Sequence, residues 1–448
     1  MEEHSIGLIA VAKKAIEAAL RAGAEQAEAY ASRGMGTSIS IERGDFKTCK
    51  SLYDYGLCVR SYVKGGMGFS YTQRITEKDA VEIGKASAKL ARQAQPDPDF
   101  ISLPEPKKVP EVPGLYDKEL AELDVEEFSE LMSRIVDAAR ISPEVIVNCS
   151  GSYGYGEYAL VNSLGVEIEG RRTGIGFSAF CIVKRGDDIG SFYEWDSGRS
   201  LRDVDPEKVG KVAGEGAIRF LGAKKVKTAT LPVVFKFLPA AGLISSLIGA
   251  ANAESIHRKR SYLVDMLGKR IASDILTVYD DGTVERGIAS STYDAEGVPK
   301  RRFVVIEKGI LKTYLHNSYT ANKMKAENNA CASRAGYSSP PGIGSSNIQI
   351  VPGDISLNEM IAEMREGIVV ETGFIWADPI TGTISQTIDF GFKIENGEYA
   401  YPLKGTLIGS RILDLMRNID AISKEYREEP GFIWPAIRVK DVRIAGGA

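Results

Sequence analysis

The chain has three histidines, His4, His257 and His316. Only His257 sits in a suggestive context, the stretch LISSLIGAANAESIHRKRSYL from Leu243 to Leu263. There, an uncharged run of small and apolar residues leads into Glu254, His257 and the basic group Arg258-Lys259-Arg260. A zinc-binding helix places two histidines about one turn apart, so that both imidazoles reach one ion. No pair here has that spacing. A ligand set drawn from His257, His316 and Cys331 across the fold has nothing local behind it. There is no Gly-x-x-x-x-Gly-Lys-Ser/Thr loop and no Gly-x-Ser-x-Gly elbow. Gly151, Gly154 and Gly156 imitate a dinucleotide loop in the wrong order, and the aromatic residues between them suit a hairpin better.

Two acidic turns are the other candidates. Asp280-Asp281-Gly282-Thr283 and Asp294-Ala295-Glu296-Gly297 fall between apparent strands. Their carboxylates could line a cleft and hold a cation or a peptide amine. The simpler explanation is turn chemistry, because Asp-Gly and Glu-Gly end strands without any ligand. Gly249, with Ala250 and Ala251, would let a peptide or partner approach closely, or would pack against the chain's own sheet.

These residues need elements to hold them. The spacing of Ile6, Ile9, Val11, Ala12, Ile16 and Leu20 predicts a helix over residues 5–24. Further helices are predicted at 76–95, capped by Thr76, at 125–140 and at 206–221. Alternating segments around Thr37 to Ile41, YGLCVRSYVKGGMGFSY, VIVNCSGSYGYG, EYALVNS, GVEIEGRRTG and FSAFCIVKRG read as short strands. Two helix–strand–strand–helix blocks in this half hint at duplication. Gln95 to Pro113 holds six prolines and reads as an extended connection. Helices and strands come in blocks, so the fold class is α+β with two domains. They are an N-terminal helix/strand domain, 1–225, and a β-rich mixed domain, 226–448.

Composition narrows the function class. An apolar fraction of 44% and a charged fraction of 26% are those of an ordinary soluble protein. A net charge of −4 argues against nucleic acid as a partner. The longest uncharged stretch, Phe237 to Ala253, is too short to span a membrane. The start, Met-Glu-Glu-His, lacks the pattern of a signal peptide. Five scattered cysteines without a Cys-x-x-Cys suit reduced thiols in the cytosol.

The order of several motifs adds more. RKRSYLVDMLGKRIAS, TVYDDGT, STYDAEGVPKRRFVVIEKGILKTYLHNSYTA, SNIQIVPGDISLNEMIAEMREGIVV and ENGEYAYPLKGTLIGSRILDLMRNID follow one another. This series resembles the TldD/PmbA family, formerly called modulators of DNA gyrase. YGLCVRSYVKGGMGFSYTQ is similar to the family's N-terminal hairpin, and FLGAKKVKTATLPVVF to its inter-domain segment.

The resemblance implies the following. TldD-like members are zinc peptidases with a His-Glu-x-x-x-His helix and a cysteine near the C-terminus. PmbA/TldE-like members share the fold without that motif. An ungapped match anchored on Arg258 to Ser261 sets Ile244 and Gly249 at the two histidine positions and Ser245 at the glutamate. Residues 226–256 contain no histidine, and the tail EEPGFIWPAIRVKDVRIAGGA contains no cysteine. The chain therefore resembles the PmbA/TldE branch.

On this reading it has no catalytic residue, no metal ligand and no cofactor of its own. Zinc is expected in a TldD-like partner, with which it forms a cytoplasmic heterodimer that processes extended or unfolded peptides; alone it could form a homodimer. The candidate substrate-cleft residues are Gly249, His257, Asp281, Asp294 and Glu296. Two alternatives stand beside this. One is a self-sufficient hydrolase using His257 with Asp280, Asp281, Asp294 or Glu296 at a non-family metal site. The other is a non-enzymatic peptide- or protein-binding modulator.

Overall fold

The computed structural model describes residues 7–446. The first half contains α1 (Leu8–Arg21), β1 (Gln26–Glu42), β2 (Asp45–Val63), β3 (Gly66–Thr72), α2 (Glu77–Gln93), α3 (Lys118–Ala121), α4 (Val125–Ala139), β4 (Val145–Asn162), β5 (Glu167–Arg185), β6 (Asp188–Gly198) and α5 (Pro206–Arg219). Its strands form one antiparallel sheet in the order β3-β2-β1-β4-β5-β6. The four long helices appear as the apolar spacing predicts. Thr76 caps α2 by accepting from Asp79 N, and Asp124 and Glu127 form a capping box on α4.

The strands correct the sequence reading. The segments around Gly151, Gly154 and Gly156 are not a hairpin but the middle of the 18-residue β4. GVEIEGRRTG and FSAFCIVKRG likewise merge into the 19-residue β5. Glycine here serves close approach rather than turning. Gly34 pairs with Gly156, and Gly36 with Gly154. A Cβ on Gly34 would lie 2.5 Å from Tyr155 O, and one on Gly154 would lie 2.3 Å from Met35 O.

The repeat hinted at in the sequence appears in the order of elements. Helix, three strands, helix occurs twice, and the copies join where β1 pairs with β4. Equivalent glycines let the helices touch. A Cβ on Gly84 of α2 would meet Ala15 O of α1 at 2.3 Å, and one on Gly210 of α5 would meet Ile135 O of α4 at 2.1 Å. Ala27, Ala29, Ala31, Ile39 and Ile41 alternate along β1 to bury against these helices. Glu28 and Tyr30 point to the other face, toward the second half.

The second half contains β7 (Ala229–Phe235), α6 (Phe237–Ala250), α7 (Ala253–His257), β8 (Val278–Asp281), β9 (Arg302–Glu307), β10 (Ile310–Leu311), α8 (Ser318–Met324), β11 (Ala332–Ser333), β12 (Gly342–Ile343), β13 (Asn347–Ile350), α9 (Leu357–Ala362), β14 (Glu366–Thr372), β15 (Thr383–Thr387), β16 (Phe390–Glu395), β17 (Glu398–Pro402), β18 (Leu407–Arg411), α10 (Ile412–Arg417), β19 (Ile419–Glu429) and β20 (Phe432–Ala445). All but β11 and β12, which pair with each other, belong to one mixed sheet. β20 is its spine, pairing with β7, β13, β18 and β19. α6 packs Leu243, Ile244, Leu247 and Ile248 into a core that also holds Val233, Phe235, Ile437 and Val439. No helix among the described residues is long and apolar enough to cross a membrane.

A side chain at Gly84 must displace backbone of α1. Gly84→Val should cost ~1–3 kcal/mol in urea unfolding by overpacking. Gly249 has nothing within 4 Å of its Cβ position, so Gly249→Ala should be neutral or stabilising by up to ~1 kcal/mol through helix propensity. Equal losses at both positions would contradict the assigned packing.

Candidate functional site

The stretch from Leu243 to Leu263 is mainly a core element. Ile244 is fully buried, whereas Ser245 and Gly249 face outward one turn apart. Asn252 caps α7 by accepting from Glu254 N and Ser255 N. His257 is exposed at the end of α7, and Glu254 pairs with Arg258 in an exposed i,i+4 ion pair of 2.7 Å. Such a pair contributes only ~0.3–0.5 kcal/mol.

The acidic candidates sit elsewhere and do other work. Asp294 Oδ1 accepts from Glu296 N and Val298 N, and its Oδ2 accepts from Ala332 N. This is the turn chemistry, drawn into the interior. Burial, followed by the neighbouring Glu296, pushes the Asp294 carboxyl up to about 7. Asp281 accepts from Thr283 N and Oγ1 and faces Arg302 at 3.8 Å. Asp280 is fully buried, with both oxygens 3.0 Å from Ser346 N.

Glu296 is not a cleft residue. Its Oε1 lies 3.2 Å from the Arg60 guanidinium, and its Oε2 accepts from Ser318 N at 2.9 Å. Arg60 also pairs with Glu28 at 2.9 Å, and Glu28 pairs with Arg334 at 2.7 Å. Two carboxylates and two guanidiniums thus neutralise one another between the halves, each side chain no more than 7% exposed. Sequence reasoning missed Glu28, Arg60 and Arg334. The available signal was a lone charge on the inward face of an otherwise apolar or small-residue strand, as in LCVRSYV and AEAYA.

Among the described residues, His316 and His257 belong to no metal-binding cluster. His316 is buried, with Nδ1 3.3 Å from Thr320 Oγ1, and burial pushes its pKa down to about 4. His4 lies outside the described residues. Cys331 N donates to His316 O, and burial raises its thiol pKa well above the usual range. Among the described residues, no three His, Cys, Asp or Glu side chains group closely enough to hold a metal ion. Of the materials for a self-sufficient hydrolase, His257 is exposed, Asp280, Asp294 and Glu296 are buried, and Asp281 is held by Thr283 and Arg302.

An open groove remains. Gly34 and Gly36 of β1, Gly154 and Gly156 of β4, and Gly174 and Gly176 of β5 floor a trough of about 840 Å³ overhung by Tyr337. Tyr337 OH donates to Asp54 Oδ1 at 3.0 Å, which ties this loop of the second half to β2.

A duplicated sheet-and-helix half clamped onto a β-rich half defines the architecture of a metallopeptidase family. The PmbA/TldA metallopeptidase domain models match in order, domain 1 over residues 27–94, the central domain over 118–221 and the C-terminal domain over 228–446. The chain belongs to the TldD/PmbA family. It is 28% identical to the metalloprotease PmbA of Escherichia coli O157:H7 over 438 residues, covering 94% of this chain and 92% of that one. It is 27% identical to a metalloprotease TldD homolog of Buchnera aphidicola over 404 residues, with 84% and 81% covered. It shares the fold of TldE from Thermococcus kodakarensis with a TM-score of 0.90 at 24% identity, covering 98% of this chain and 100% of that one.

The family description implies a metal. The helix α6, FLPAAGLISSLIGA, offers no imidazole, thiolate or carboxylate to hold one. Of the two positions matched to histidines, one is sealed in the core and the other is a glycine facing open space.

Two predictions follow from the buried charges. Arg60→Met leaves the buried Glu296 without a guanidinium and Glu28 with Arg334 alone, and should cost ~3–5 kcal/mol in urea unfolding; an unchanged midpoint would show that the cluster does not tie the halves. Burial pushes the Asp280 carboxyl up to about 6, against the opposing pull of Ser346 N–H and Lys300. The folded state therefore holds this proton more tightly than the unfolded chain. The resulting stability is full below about pH 4 and lost as pH rises through 6. From pH 4 to 7 the wild type should lose stability relative to Asp280→Asn; parallel pH profiles would refute this.

Proposed function

We propose that this chain is a PmbA/TldE-like subunit of a TldD/TldE-type metallopeptidase complex. It holds no zinc, and zinc belongs to a TldD-like partner. Its role is to shape the chamber in which extended or unfolded peptides meet the partner's metal. The observation that carries this is α6, where Ile244 is sealed and Gly249 faces open space in place of ligands. A zinc peptidase needs about three protein ligands and an open position for water.

Two further features support a partner and an extended substrate. From Asp45 to Asp54, β2 pairs with β1 alone among the described strands, and Phe46, Leu52 and Tyr53 are more than half exposed. A long strand edge left open on one side is a place where another chain can pair, although Lys47 and Lys50 blunt this one. The glycine-floored groove gives backbone surface for a strand-like peptide, which needs little side-chain specificity. The proposed setting is the cytoplasm.

The test is elemental analysis of the purified chain beside cleavage of unfolded casein. The chain alone should contain far less than one zinc per molecule and should not cleave. Adding a TldD-like subunit should give cleavage that a chelator abolishes. Chelator-sensitive cleavage by this chain alone would overturn the proposal.

A further inference from the structure

Another cavity is larger than the groove. It is a cleft of about 1010 Å³ where β6 and α5 face the start of α6, the end of β14 and the β19–β20 turn. Its lining carries seven acidic side chains and four basic ones, among them Glu194, Asp196, Glu371 and Glu429 against Lys236 and Arg427. Three of the four cations, all but Lys208, are already engaged. Lys236 Nζ donates to Glu371 Oε1 at 2.7 Å. Arg427 donates to Glu194 Oε1 at 2.7 Å and to Glu429 Oε1 at 2.6 Å, with its guanidinium over the Trp195 ring. Arg286 pairs with Asp203.

What these pairs leave over points to a ligand. Glu371 Oε2 and Glu429 Oε2 are buried and have no hydrogen-bond partner among the described residues. The Glu429 residue is 2% exposed and the Glu371 side chain 8%. A buried carboxylate oxygen without a donor costs several kcal/mol unless something supplies one. Trp195 Nε1, also in the lining, is a buried donor without an acceptor. Phe237 and Leu238 add apolar surface beside these groups.

We propose that this cleft is a subsite for a basic side chain of an extended polypeptide, whose ammonium or guanidinium donates to Glu371 Oε2 and Glu429 Oε2. Phe237 and Leu238 take the methylene stem, as long cationic side chains prefer. Trp195 Nε1 donates to a backbone carbonyl of the same peptide. Burial, with the neighbouring Asp196 and Glu194 opposing Arg427, pushes the Glu429 carboxyl up to about 7. An arriving cation favours its ionised form. The assignment deepens the peptide-handling reading above and rests on it.

The test is calorimetric titration of the full chain with capped Ala-Ala-Arg-Ala-Ala, the same peptide with glutamine for arginine, and agmatine. Trp195 emission gives a second readout. The arginine peptide should bind at least tenfold tighter than the glutamine peptide. Glu429→Gln and Glu371→Gln should each weaken it about tenfold, while Glu254→Gln on α7 leaves binding unchanged. Either cleft variant suffices if the other fails to fold. Equal binding of the two peptides, or unaltered binding by both cleft variants, would overturn the subsite. Agmatine binding as tightly as the peptide would overturn the peptide as its source. Should these fail while casein cleavage with the TldD-like subunit persists, only the subsite falls.

Discussion

Four buried charges set the relation between the two halves. Glu28 and Arg60 come from neighbouring strands of the first sheet, and Glu296 and Arg334 from loops of the second half. The Nε atoms of both arginines have no partner among the described residues. Such a cluster adds little net stability over apolar packing. Its consequence is registry. Any slip between the halves would strand a buried charge at a cost of several kcal/mol. Both the glycine groove and the acidic cleft have walls from each half, so their shapes depend on this alignment.

The first half shows how little sequence a duplicated frame needs. Each copy supplies a long strand with glycines at the joint, an outer hairpin, and two helices in contact through a glycine. At Gly34, Gly154, Gly84 and Gly210 the backbones come so close that a Cβ would collide. The same bare strands leave a trough open on the sheet. The frame that holds the halves together and the surface that could receive a strand-like peptide thus come from one constraint.

The second half buries the helix that family likeness would make catalytic. α6 spends nearly all of its surface on packing, and β20 holds the sheet beneath it. Polar chemistry has moved to the seam between the halves, where carboxylates are paired incompletely. Ligand pockets commonly combine a rigid frame with a few placed polar groups at their walls.

Much of this was written locally. Amphipathic spacing and capping residues decided the four long helices of the first half, since both act within a few residues. The order of motifs identified the family, and the lack of histidine across residues 226–256 set the branch it resembles. The fate of the charged residues was not local. Asp294 and Glu296 look like an exposed acidic turn, yet they are buried because the first sheet closes over them. Gly151, Gly154 and Gly156 look like turn formers, yet they lie in an extended strand, where a Cβ on Gly154 would strike Met35 of β1 and one on Gly151 would strike Met132 and Phe177. Glu371 and Glu429 lie in different strands, 58 positions apart in the chain, and share a cleft only through the fold. Propensity and spacing act over one turn or one pleat, whereas burial of a charge depends on what packs against it, and only the tertiary structure decides that.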